Sequence, residues 1–178
     1  AHTLPRGPGA KEVTGCCVAD GNQVLFRANE EDKPNRCYIQ SIDGRGLPRA
    51  VTPEGVEGSI LSPDDKFVVA VGLDQKFARF PLDGGNPLPL SGLDEGDQPI
   101  RWNTEGDAIF VYRPGELPAR IYRLDLATQE KEFFKEIMPA DRAGLLGIYP
   151  ILLTPDGKSH IYSPYRILSS LYVVENLE

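Results

Sequence analysis

Long apolar runs are missing from this 178-residue chain: none approaches the roughly 18 consecutive apolar residues a helix needs to cross a bilayer. The opening segment "AHTLPRGPGAKEV" lacks the apolar core of a signal peptide, as a mature or excised piece of a longer protein also would. Basic clusters are missing too. Nineteen Lys and Arg stand singly against 26 Asp and Glu, and the net charge of −7 disfavours nucleic acid or an anionic membrane surface as partner. That charge instead keeps a strand-rich surface soluble. The three cysteines, Cys16, Cys17 and Cys37, lack zinc-site spacing, so no metal ligation is expected. Adjacent cysteines are too strained to bridge each other. Buried thiols are the expectation, with Cys16–Cys37 and Cys17–Cys37 the pairings left open.

Turn chemistry, by contrast, is abundant. Pro (16) and Gly (18) are spread between short apolar runs instead of clustering, as an all-β chain with many turns requires. Four segments repeat one arrangement: "VADGNQVLF", "SPDDKFVVA", "NTEGDAIFV" and "TPDGKSHIY" each carry an acid at a turn, followed by an apolar strand. Those acids are Asp20, Asp64, Glu105 and Asp156, spaced 44, 41 and 51 residues apart. A second set, "CYIQSID", "FARFPLD", "RIYRLD" and "LYVVE", ends at Asp43, Asp83, Asp125 and Glu175. A period in the forties with several strands per unit marks a propeller.

The turns have a physical logic. Pro63 and Pro155 pre-set φ, the acid caps the turn, and Gly21, Gly106 and Gly157 take the left-handed conformation that closes it. Asp65 replaces that glycine in the second unit. The strands that follow are apolar on both faces, as a blade sandwiched between two neighbours requires. On the next strand, Phe80, Tyr122 and Tyr172 align, each with an aliphatic residue two positions on (Leu82, Leu124, Val174). The expectation is an all-β chain: a β-propeller segment of about four four-stranded antiparallel blades, alone or within a larger propeller. The repeats run approximately 14–55, 56–97, 98–144 and 145–178, with 1–13 as an orphan outer strand. The long stretch "KEFFKEIMPADRAGLLGIYP" breaks the period and is expected to form a rim loop with one helical turn.

"SPDDKFVVAV…LDGGNPLPL" and "TPDGKSHIYS" resemble the TolB-type, WD-repeat-like propeller repeat, whose usual turn is Ser-Pro-Asp-Gly-Lys. The resemblance covers essentially the whole chain in four degraded copies, and the first, "VADGNQ", departs most. It implies the C-terminal propeller region of a large bacterial multidomain protein, in some cases one with a serine/threonine kinase domain. Such regions are taken as sensing or protein-binding modules, and the resemblance leans towards an extracytoplasmic, periplasmic setting over a cytoplasmic one. The motif specifies fold far better than function.

Residues that could carry chemistry are few. His160, in "SHIYS", is expected as a satisfied buried or half-buried strand residue, and no nucleophile elbow surrounds Ser159 or Ser163. The acidic cluster "DEGD" (94–97) reads as a solvated turn. No catalytic, cofactor or metal residue is assigned, and no cofactor is expected. The candidate partner-binding residues are Arg101, Trp102, Tyr112, Arg113, Glu116 and Tyr149. Arg101 is a charge where the other repeats place Cys16, Ile60 and Leu152, so it must find a carboxylate, solvent or a ligand. Trp102 is blade core or a contact, Tyr112, Arg113 and Glu116 lie at the expected loop "YRPGELPAR", and Tyr149 opens the last inner strand. The sequence therefore reads as a non-catalytic module for a protein or peptide partner, without direct membrane insertion and with self-association through open blade faces or edges in view. The alternatives are the accessory propeller of a peptidase-type enzyme, or a small-molecule or glycan binder using the axial channel.

Overall fold

The repeated turn sets the architecture. In each of three units the residue before the acid's turn, Ser62, Asn103 or Thr154, bonds across the hairpin: its N–H donates to Phe67, Ala108 or Ser159 O. Its own carbonyl accepts from the N–H of Asp65, Gly106 or Gly157, each with φ between 54° and 77°. Asp64 Oδ1 accepts the Ser62 hydroxyl (2.6 Å) and the Lys66 N–H (3.2 Å), and Asp156 does the same with Thr154 (2.5 Å) and Lys158 (3.1 Å). In the third unit Asn103 takes over, accepting from the Gly106 and Ala108 N–H groups and donating to Glu105. The acids are turn formers.

The computed structural model describes residues 14–18, 22–30, 32–43 and 45–170. These form strands and no helix, hence none that could cross a membrane. The first sheet holds β1 (Thr14–Val18), β2 (Gln23–Ala28), β3 (Arg36–Ser41) and β4 (Arg49–Ala50). β5 (Gly58–Leu61), β6 (Phe67–Val71), β7 (Phe77–Pro81) and β8 (Leu88–Pro89) make the second. The third has β9 (Gln98–Trp102), β10 (Ala108–Tyr112), β11 (Ala119–Asp125) and β12 (Lys131–Ile137), and β13 (Leu145–Leu153) pairs with β14 (His160–Arg166) in the fourth. Each is an antiparallel meander, and the innermost strands touch in chain order: β1 on β5, β5 on β9, β9 on β13. The expected strand at 1–13, the turn at Asp20 and Gly21, and "LYVVE" with Tyr172, Val174 and Glu175 lie outside the described residues.

Between the sheets lie continuous apolar layers. Leu25, Cys37, Ile39, Val51 and Val56 of the first sheet meet Val68, Ala70, Phe80 and Leu82 of the second. The opposite face of the second sheet, with Ile60, Val69 and Leu90, meets Trp102, Ile109, Val111 and Leu124 of the third. Phe110, Tyr112, Ala119, Ile121 and Ile137 then meet Ile148, Ile151 and Leu153 of the fourth. β6 and β10 are thus buried on both faces, which is why neither alternates apolar with polar.

The structure departs from several expectations. Val68 pairs with Phe80 and Ile109 with Leu124, so Phe80 matches Leu124, not Tyr122. The expected alignment is displaced by two residues. Side chains alternate with period two, so that displacement preserved the face. The stretch read as a rim loop is mostly β12 and the long β13, joined by a turn in which the Leu145 N–H donates to Arg142 O, without a helical turn. β14, expected between blades, is largely exposed, because among the described residues nothing packs over it. Cys37 is a free, buried thiol whose Sγ accepts the Gly58 N–H at 2.8 Å. β2 separates its strand from β1, and two strand spacings (~9.5 Å) exceed the ~7 Å Cα limit for a disulfide to Cys16 or Cys17.

Candidate functional site

β5, β9 and β13 end side by side at Leu61, Trp102 and Leu153, and each runs into the repeated turn. Where they converge the structure leaves a cleft of ≈490 Å³, walled by these strand ends and by Ser62, Pro63, Asp65, Asn103, Thr104 and Pro155. Registers through the neighbouring strand place Ile60, Arg101 and Leu152 at equivalent positions, opposite Val69, Phe110 and Ile161. Ile60 is buried, Arg101 is half-buried and Leu152 is exposed.

Among the described residues Arg101 finds no carboxylate. Its Nη1 donates to Leu153 O at 2.7 Å and its Nε to Trp102 O at 3.3 Å, tying the third sheet to the fourth through backbone carbonyls. Burial pushes its pKa down, and no neighbouring charge opposes that shift. A guanidinium carries five N–H donors, so two carbonyls leave donors over. Trp102, 4% exposed, packs into the layer shared with the second sheet and also walls the cleft.

The other candidates lie at the opposite end of the third sheet. Tyr112 pairs with Gln98, where β9 begins. It was expected on an exposed loop but is buried, 3% exposed, because β10 extends to include it. Burial, then the nearby Tyr149 phenol, pushes its hydroxyl up to about 12, with the Ile151 backbone opposing. Arg113 bonds Asp97 at 2.9 Å and reaches Asp94 at 3.7 Å and Glu116 at 3.8 Å. Tyr149 lies on β13 and is exposed.

"DEGD" is not simply solvated. The Asp97 side chain is only 7% exposed and accepts Lys131 Nζ at 2.7 Å besides Arg113. Burial by itself would raise its pKa, but Lys131, the Asp94 N–H and Arg113 together hold it below the ordinary carboxylate value. Its partners lie 16 and 34 residues away in the chain, so no local signal marks it. His160 is exposed, not buried or half-buried, with its ring 6.0 Å from that of Tyr162 on the open β14. The sequence reading also missed Ser62, Asp65 and Leu152 as cleft residues. The signal for them was the equivalence of the three strand ends, which it had used only for Arg101 and Trp102.

Meandering sheets stacked face to face, with their inner strands in contact, define a β-propeller arrangement. Two solved structures share it. TolB from Acinetobacter baumannii superposes with a TM-score of 0.62 at 17% identity, over 85% of this chain and 37% of that one. The putative TolB from Agrobacterium tumefaciens gives 0.57 at 20% identity, over 89% and 57%. The chain thus has the TolB-type propeller fold and spans about 37% and 57% of the length of these structures. No family model and no curated protein matches the chain.

Proposed function

We propose that the chain is a non-catalytic propeller module that binds a protein or peptide partner in the cleft at the ends of β5, β9 and β13. One observation carries this reading: Arg101 stands half-buried on the wall of that cleft without an acidic partner among the described residues. Two backbone carbonyls leave guanidinium donors over beside a largely apolar wall, and those spare donors favour a ligand from outside. The TolB-type fold supports a binding role by analogy only. Tyr149, close to Tyr112, belongs with Arg113 and Glu116 to the opposite end, and these three are secondary candidates.

Photo-crosslinking tests the reading. A benzophenone amino acid at Leu152, exposed on the cleft wall, should trap one discrete adduct in extract of the source cells. The same group at Leu73, exposed elsewhere, should not. Equal or absent labelling at the two positions removes the cleft from consideration.

A further inference from the structure

The chemistry that would fill the cleft can be read from its walls. Ile60, Leu61, Leu152 and Leu153 make them largely apolar, and Arg101 supplies the positive charge. Asp65 is the other ionisable side chain lining it. At Arg101 the neighbouring sheets place Ile60 and Leu152, so the fold itself does not require a cation at this position. Two of the three strand ends carry an aliphatic residue there, and the third sheet instead carries a guanidinium held in place by Trp102 O and Leu153 O. Those two bonds use Nε and one Nη, which fixes the plane of the fork before any ligand arrives.

We infer that Arg101 is the receptor for a single carboxylate, an acidic side chain or a C-terminal carboxylate, presented by an apolar peptide segment lying in the cleft. The inference rests on the peptide-binding reading and names the group recognised. A carboxylate carries one negative charge and matches one guanidinium through paired N–H···O bonds. A phosphate, at about −1.5 to −2, would leave uncompensated negative charge beside Asp65 in a chain already at −7. The cleft volume of ≈490 Å³ lies within the range of small-ligand sites and suits a short segment, not a folded domain surface.

The chain carries its own reporter. Trp102 is its one tryptophan and walls the cleft next to Arg101, so intrinsic fluorescence reads occupancy directly. The probes are acetylated pentapeptides Leu-Leu-X-Leu-Leu, amidated at the C-terminus, with X as Glu, Gln or Lys. A fourth has Gln at the centre and a free C-terminal carboxylate. Wild-type protein should bind the Glu peptide at least tenfold more tightly than the Gln and Lys amides. The fourth peptide tells whether a terminal carboxylate serves equally. Arg101→Leu, which places in the third sheet what the fourth carries at Leu152, should fold, lose the tenfold preference and keep the weaker apolar binding. Arg101→Lys should retain only part of the preference, since an ammonium is a point charge. Equal affinity for the Gln amide, the Glu peptide and the free-carboxylate peptide overturns the carboxylate inference and leaves peptide binding standing. A preference that survives in Arg101→Leu also overturns it. Binding of none of the four sinks the peptide reading together with the inference.

Discussion

At the scale of single residues, Asp97 and Tyr112 show how far burial and charge reshape titration in a β-rich body. Asp97 is held below its ordinary value despite burial, so its folded pKa lies under its unfolded one. Its contribution is therefore complete above about pH 4 and is lost as the pH falls through the depressed folded value. Asp97→Asn should cost about 1–3 kcal/mol in urea unfolding at pH 7, the range for hydrogen bonds to charged groups. The gap between the two proteins should close on acidification; a gap independent of pH would show that the charge is not what matters. Tyr112 runs the other way, with a folded value of about 12 against an ordinary 10. The stability it contributes is complete below pH 10 and lost as the pH rises towards 12. An ultraviolet titration step near pH 12, missing in Tyr112→Phe, would identify it. Gly157 illustrates a steric limit: at φ 66° an added Cβ would lie 2.5 Å from the Phe134 ring. Gly157→Ala should destabilise by at least about 1 kcal/mol, although Asp65 adopts a φ of 54° at the equivalent place.

At the scale of elements, the turns and the two-sided strands were legible because their causes are local. A proline, an acid and a left-handed residue within a few positions specify the hairpin, and β6 and β10 announce their burial by lacking polar alternation. The third strand of each sheet was placed less well. Its register depends on hairpins of different length, so Leu124, not Tyr122, stands opposite the buried Ile109. Mutagenesis can read this register. Leu124→Ala, at a position with no exposure, should cost about 2–5 kcal/mol, and Tyr122→Ala, half-buried against Phe133, should cost clearly less than a fully buried aromatic. Comparable losses in denaturant would contradict the pairing. β12 was misjudged for a different reason. "KEFFKEI" carries alternating charges suited to an edge strand, and a loop reading and an edge reading of such a segment differ only in whether β11 is there to pair with it.

For the whole molecule, the equivalence of strand ends hinted at the cleft, which gathers three repeats, but nothing local marked the Asp97 cluster, whose partners lie 16 and 34 residues on. Arg101 stood out in the sequence as a charge among aliphatic equivalents, yet its carbonyl partner Leu153 lies 52 residues on. The layers couple the sheets in the same long-range way. Ile148→Ala removes apolar contact from the layer between the third and fourth sheets, so amide exchange should quicken most in β13 and β10. β2, two layers away, should keep its protection; uniform loss across all sheets would mean that the stack opens as one unit.

Those layers are also unlike one another. Cys37 and Phe80 sit among aliphatic side chains at the first seam, Trp102 among those of the second, and Phe110 with the buried Tyr112 at the third. Near-identical repeats are prone to dock on the wrong neighbour while folding. Here the three seams differ in composition, and that difference favours one order of the sheets around the axis. A chain with its second and third units exchanged would keep every turn and every strand, and should still fail to assemble.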